Sequence, residues 1–102
     1  MGDSYYNLKR YPEAVTKYKA SISLNDNNYE SHDGLGWTYY QMHKYDDALV
    51  EFTKSISLYS YGRSSHEGLA WTYYQIGRYN ESKYEFNKIN MALPKELVKQ
   101  LD

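Results

Sequence analysis

The chain has 102 residues, the length of one domain, and 25% of them are charged. Its formal net charge of −1 lacks the excess positive charge that non-specific binding to nucleic acid or docking on an anionic membrane requires, so neither partner is expected. It contains no cysteine, which excludes disulfides, thiolate chemistry and cysteine-based zinc sites. With no long apolar run and no secretory leader, a cytoplasmic protein is expected.

The sequence repeats itself with a period of 34 residues. Tyr11, Tyr45 and Tyr79 are successive steps of this period, and the block 31–41 recurs as 65–75 with two conservative changes. A fixed period of this length predicts stacked supersecondary units that share one continuous core. We therefore expect an all-α solenoid forming a single domain, 1–102, with repeat one truncated at 1–28, repeat two at 29–62 and repeat three at 63–96.

Each repeat is predicted to contain two amphipathic helices, A and B. In repeat two, Leu35 and Tyr39 recur at helical spacing on one face of helix A. Ala48 and Phe52 do the same on helix B. A turn at 43–45 separates the two helices, and a short capping helix is expected at about 94–101.

Several residues are predicted to mark the helix ends. Pro12 fits the first turn of helix B in repeat one, and Gly77 fits the C-terminus of helix A in repeat three. The remaining predicted caps are Asp46 and Asn80 on helix B, and a capping box of Ser64 with Glu67 on helix A of repeat three.

This pattern resembles the tetratricopeptide repeat (TPR), and the resemblance covers nearly the whole chain. The residues that carry it are Tyr5, Tyr11, Ala14, Tyr18, Leu24, Leu35, Gly36, Tyr39, Tyr45, Ala48, Phe52, Leu69, Ala70, Tyr73, Gly77, Tyr79, Phe86 and Pro94. It implies helix-turn-helix units wound into a right-handed superhelix, with the A helices lining a concave groove. The sequence departs from the family where His32 and His66 replace a large hydrophobe. It also departs where Ser21 and Ser55 replace a small apolar residue.

The resemblance places a binding surface on the A helices. The groove positions are Asp3, Tyr6 and Asn7 in repeat one, Glu30, Asp33, Trp37, Tyr40 and Gln41 in repeat two, and Ser64, Glu67, Trp71, Tyr74 and Gln75 in repeat three. At helical spacing, Asp33, Trp37 and Tyr40 form a stripe separate from the core stripe. Gly34 and Gly68 each precede a tryptophan by three residues and are expected to leave its face open.

The chemistry of these positions favours a basic ligand. Carboxylates beside indole and phenol rings attract Lys or Arg side chains by charge and cation–π contact. The amides of Asn7, Gln41 and Gln75 are expected to bond a peptide backbone. Some TPR domains bind acidic chaperone tails through basic groove residues, and acidic residues near those places here exclude that ligand class. The predicted function is a non-catalytic scaffold that binds a basic or aromatic-rich segment of a protein partner.

Alternative interpretations stay open. The tryptophans are packing residues in one of them, and in another the chain is a self-associating assembly module whose truncated first repeat contacts a second copy. His32 and His66 are expected to be core or interface histidines rather than metal ligands. The sequence has no phosphate loop, nucleophile motif or paired-acid motif, so no enzyme activity, metal or cofactor is predicted.

Overall fold

Helices account for the regular structure of residues 10–101, the part of the chain that the computed structural model describes. In chain order they are α1 Tyr11–Leu24, α2 Tyr29–Gln41, α3 Tyr45–Leu58, α4 Arg63–Gln75, α5 Tyr79–Lys88 and α6 Lys95–Gln100. Each helix packs on the next along the chain, and α2 also contacts α4. The predicted all-α solenoid of helix pairs is confirmed, with α2 and α4 as A helices and α1, α3 and α5 as B helices. None of these six helices is long and apolar enough to cross a membrane.

A residue with positive φ ends helix A in repeats two and three. Gly77 has a φ of 84°, as expected for a glycine at a helix C-terminus, and His43 at the same place in repeat two has a φ of 62°. In repeat two the backbone N–H of Lys44 then donates to the carbonyl of Tyr39 at 2.9 Å, which closes the turn. His43 carries a side chain in a conformation that glycine adopts at lower free energy.

Helix B is shorter in repeat three because an asparagine ends it early. Helices α1 and α3 have 14 residues each, whereas α5 has 10. Asn90 has a φ of 57°, and the N–H of Met91 donates back to the carbonyl of Phe86 at 3.0 Å. Asparagine tolerates this left-handed conformation better than most residues. The chain then turns through Pro94 into α6.

The predicted caps of helix B are wrong at two positions. Lys44 and Arg78, rather than Asp46 and Asn80, occupy the N-cap positions of α3 and α5, and neither makes a side-chain cap bond. Asp46 lies in the first turn of α3, where its negative charge interacts favourably with the positive end of the helix dipole. Pro12 lies in the first turn of α1, as predicted.

Helix A is also capped differently from the prediction. Gly62 is the N-cap of α4, so Ser64 and Glu67 lie inside the helix and form no capping box. In repeat two the cap is Asn28, whose side chain accepts two backbone N–H groups of the first turn of α2. The two A helices therefore begin in chemically different ways although their sequences are alike.

Aromatic rings from helix B fill spaces left by glycines on helix A. Phe52 is fully buried, and a Cβ added to Gly36 of its own repeat would lie 2.8 Å from its ring. A Cβ added to Gly68 of the next repeat would lie 2.3 Å from the same ring, and Tyr18 approaches Gly34 at 2.4 Å in the same way. The expectation that Gly34 and Gly68 expose the indoles is therefore wrong, because both admit a ring from the preceding repeat.

Buried histidines tie the two helices of a repeat together. His66 Nδ1 lies 2.7 Å from the Glu85 carboxylate on α5, and its Nε2 lies 2.9 Å from the Ser60 carbonyl. His32, one repeat earlier, makes the same pair of contacts. The two residues are only 6% and 7% exposed, and both ring nitrogens of each are hydrogen-bonded. The prediction of core histidines is confirmed.

Candidate functional site

The predicted groove residues lie on α2 and α4, the two neighbouring A helices. Asp3, Tyr6 and Asn7 lie outside the described residues. The positions on α2 are Glu30, Asp33, Trp37, Tyr40 and Gln41, and those on α4 are Ser64, Glu67, Trp71, Tyr74 and Gln75. Because α2 contacts α4, the two sets form one adjoining surface.

A chain of hydrogen bonds crosses this surface between the two repeats. The indole N–H of Trp37 donates to Ser64 Oγ at 2.9 Å, and Ser64 Oγ donates to Asp33 Oδ2 at 2.8 Å. The other oxygen of Asp33 accepts from Ser65 Oγ at 2.9 Å. Ser65 Oγ also lies 2.7 Å from the buried Ser55 Oγ on α3. Asp33 and Trp37 therefore help to hold repeat three against repeat two.

The serine pairs at the boundaries between repeats were not predicted from the sequence. Ser55 and Ser65 meet across the boundary between repeats two and three, and Ser21 and Ser31 meet at 2.8 Å across the boundary before it. Both pairs are ten residues apart and recur at the 34-residue period. That recurrence is the sequence pattern that could have found them. The serine at the small apolar position of helix B hydrogen-bonds to a serine at the start of the next helix A.

Each tryptophan packs its indole edge-on against a phenylalanine of its own repeat. The ring centroids of Trp37 and Phe52 lie 5.2 Å apart at an interplanar angle of 77°, and those of Trp71 and Phe86 lie 5.2 Å apart at 87°. Each indole also meets the tyrosine three residues later on the same helix. Both indoles remain partly exposed. The tryptophans therefore contribute to packing while leaving part of each ring accessible.

A further hydrogen bond joins α4 to α2 at the other end of the surface. Gln75 Nε2 donates to the hydroxyl of Tyr40 at 3.2 Å. Burial raises the pKa of Tyr40 above its ordinary value of 10.0, and this outweighs the opposite effect of the hydrogen bond from Gln75. Tyr40 is thus a neutral phenol at physiological pH. One of the amides expected to bond a peptide backbone already has a partner within the protein.

The known proteins to which this chain is similar have the same helical fold. A family model described as TPR repeat matches residues 2–43. A search of curated proteins by sequence finds no match. The chain superimposes on the Arabidopsis OM64 TPR domain with a TM-score of 0.85 and 19% identity, covering 86% of this chain and 73% of that one. It superimposes on the first TPR of Spaghetti (RPAP3), bound to the HSP90 peptide SRMEEVD, with a TM-score of 0.86 and 15% identity, covering 98% and 81%.

A third similar structure is longer than this chain. MamA AMB-1 superimposes with a TM-score of 0.82 and 26% identity, covering 96% of this chain and 55% of that one, so the chain spans about half the length of MamA. The family model matches the first part of the chain, and the superpositions extend the same fold over nearly all of it. With the 34-residue period of its sequence, these findings show a TPR repeat at residues 2–43 and the fold of TPR domains over nearly all of the chain.

Proposed function

We propose that this chain is a non-catalytic protein-interaction module whose surface on α2 and α4 binds an extended peptide segment carrying Lys or Arg. The observation that carries the proposal is the placing of acidic and aromatic side chains on two adjoining helices. The carboxylates are Glu30, Asp33 and Glu67, and the partly exposed indoles are those of Trp37 and Trp71. None of the ten predicted groove positions on α2 and α4 is Lys or Arg.

The energetics of these groups suit a cationic side chain. A Lys ammonium or Arg guanidinium over an indole face gains roughly 0.5 to 2 kcal/mol, depending on how far it is desolvated. A neighbouring carboxylate adds a charge-assisted hydrogen bond. Packed helices lie about 8–10 Å apart, and an extended peptide advances about 3.3 Å per residue. Equivalent positions on α2 and α4 would therefore face every third residue of the ligand.

The RPAP3 domain, which has the same fold, binds a peptide, and this supports peptide binding here. The charge of the expected ligand is different. The peptide in that structure, SRMEEVD, carries three acidic residues and one arginine, so its side chains are negative on balance. This chain shares the fold of that domain, and its predicted groove positions on α2 and α4 carry carboxylates and no Lys or Arg. A ligand of the opposite charge is the one that this surface complements.

Selection of short random peptides on the purified protein tests the proposal. Enrichment of Lys- or Arg-bearing sequences is expected for the unmodified chain. The Glu30→Gln/Glu67→Gln variant should bind them about tenfold more weakly, a loss of roughly 1.4 kcal/mol. The matched control is Asp47→Asn/Glu96→Gln, which removes the same two charges from exposed positions outside the groove. Equal binding by both variants, or no preference for basic peptides, would refute the proposed ligand class.

The alternative function, a self-associating assembly module, predicts a different result in the same preparation. A dimer or larger species in solution, combined with no peptide enrichment, would favour it. The Trp37→Ala/Trp71→Ala variant separates the two functions only if its helix content is unchanged, because both indoles pack on core phenylalanines.

A further inference from the structure

We propose that repeat three holds the anchor pocket of this surface, so that the ligand is recognised chiefly through one Lys or Arg side chain bound at Glu67 and Trp71. The inference rests on the proposed peptide-binding function and names the part of the surface that supplies its specificity. It comes from a structural difference between two A helices whose sequences are nearly the same from 31 to 41 and from 65 to 75.

In repeat two, the carboxylate and the indole N–H that correspond to those of Glu67 and Trp71 are already occupied within the protein. Both carboxylate oxygens of Asp33 accept hydroxyl bonds from α4, one from Ser64 and one from Ser65. The indole N–H of Trp37 donates to Ser64. Asp33 cannot turn toward a ligand without breaking bonds that join repeats two and three. A cation bound there would gain less than at a carboxylate with no internal partner.

In repeat three, the equivalent groups have no such partner. Among residues 10–101, neither the Glu67 carboxylate nor the Trp71 indole N–H makes a hydrogen bond or an ion pair within the protein. One period after Ser64 the sequence has Val98, which has no hydroxyl group, and α6 packs on α5 instead of lying along α4 as α4 lies along α2. Lys99 follows at the position equivalent to Ser65 and makes no ion pair with Glu67.

The side chains beside Glu67 on α4 suit one cationic side chain. Glu67 and Trp71 are four residues apart on α4 and so share one face of the helix. Tyr74 extends that face, with its ring centroid 6.0 Å from that of Trp71. Glu67 is partly buried, which strengthens an ion pair relative to a fully exposed one. A guanidinium or ammonium group can therefore bond Glu67 while it lies against the indole, and the free indole N–H can donate to a ligand carbonyl.

The two indole N–H signals in a ¹⁵N–¹H NMR spectrum test this asymmetry directly. The probes are synthetic Gly-Ser peptides with no Arg, with one Arg, and with two Arg residues three positions apart. One Arg should suffice to shift the Trp71 indole signal, with little change at Trp37. A Trp71→Phe variant assigns the two signals.

Two isosteric variants then separate anchoring from packing. Glu67→Gln should weaken binding of the one-Arg peptide about tenfold with little change in melting temperature. Asp33→Asn should lower the melting temperature and weaken binding much less, because Asp33 joins the repeats. If Asp33→Asn weakens binding as much as Glu67→Gln, or if one Arg shifts both indole signals equally, the anchor assignment is wrong although the surface binds peptides. If no Arg peptide shifts either signal, the proposed function fails and the anchor assignment fails with it.

Discussion

Replacing Gly68 with alanine would place a methyl group 2.3 Å from the ring of Phe52, more than 1 Å inside ordinary contact distance. The ring has little room to retreat, because it is fully buried and also lies close to Gly36. Overpacking of this kind costs about 1–3 kcal/mol, whereas the higher helix propensity of alanine returns about 1 kcal/mol. At 2.3 Å from a ring that cannot move away, the upper end of that overpacking range applies, so we expect a net loss of roughly 2 kcal/mol, equivalent to a melting temperature about 10 °C lower for a domain of this size.

Thermal and urea unfolding followed by circular dichroism measure this loss. Ala20→Gly, at an exposed position inside α1, calibrates the contribution of helix propensity alone. The Gly68→Ala/Phe52→Leu double variant should be less destabilised than the sum of the two single changes, since a smaller side chain makes room for the methyl group. A Gly68→Ala protein as stable as the unmodified chain, or additive effects in the double variant, would refute the view that this glycine exists to admit the ring.

Three further predictions concern a turn, a buried pair and a phenol. His43→Gly relieves a positive φ that costs about 1–2 kcal/mol but removes an exposed hydrogen bond to Tyr45, so it should stabilise the fold by at most about 1 kcal/mol in thermal unfolding. Glu85→Ala should cost about 1–3 kcal/mol in urea unfolding, because it removes the partner of a buried ring nitrogen of His66. Burial raises the pKa of Tyr40, so its protonated form stabilises the fold below pH 10, and this stability is lost as pH rises through the folded-state pKa. Tyr40→Phe should therefore reduce the alkaline loss of unfolding free energy.

Each of these three has a matched control within the chain. Gly77→Ala should destabilise by a similar amount to the gain from His43→Gly, and equal stability in both would contradict the turn argument. Glu81→Ala removes an exposed ion pair with Arg78 and should cost well under 1 kcal/mol. Tyr61→Phe, at a residue 84% exposed, should not change how steeply the free energy of unfolding falls with pH above pH 10. If the free energy of unfolding falls equally steeply with pH in the Tyr40 and Tyr61 variants, the alkaline loss of stability does not come from Tyr40.

The helices could be predicted from the sequence because their apolar residues recur at helical spacing within a fixed 34-residue period. Their N-caps could not, for a geometric reason. Lys44 is both the last residue of the turn that closes α2 and the N-cap of α3, so the turn and not the preference of a capping side chain sets where α3 begins. Arg78 has the same double position between α4 and α5.

From the sequence, the residues of the candidate surface could be predicted for each helix separately, but not the contacts between the helices. Helical spacing shows that Asp33 and Trp37 share a face, but not that Ser64 lies beside both of them. That contact depends on how far α4 is offset along α2, which the spacing within either helix does not reveal. The role of Gly68 was misassigned for the same reason, because the ring that fills its space belongs to a helix of the preceding repeat.

The Phe52 ring packs against glycines of two successive repeats, so the segment that can be exchanged between repeat arrays differs from the 34-residue repeat of the sequence. The 34-residue period suggests that a helix A and the helix B that follows it can be moved as one unit. However, the Phe52 ring on α3 fits only a helix with glycine at the position of Gly68 on α4. Ser55 and Ser65 are matched across the same boundary. A recombined array should therefore keep α3 and α4 together, with its junctions in the turns at 42–44 and 76–78. In chimeras cut between α3 and α4, a ring would face a helix that was not selected to receive it.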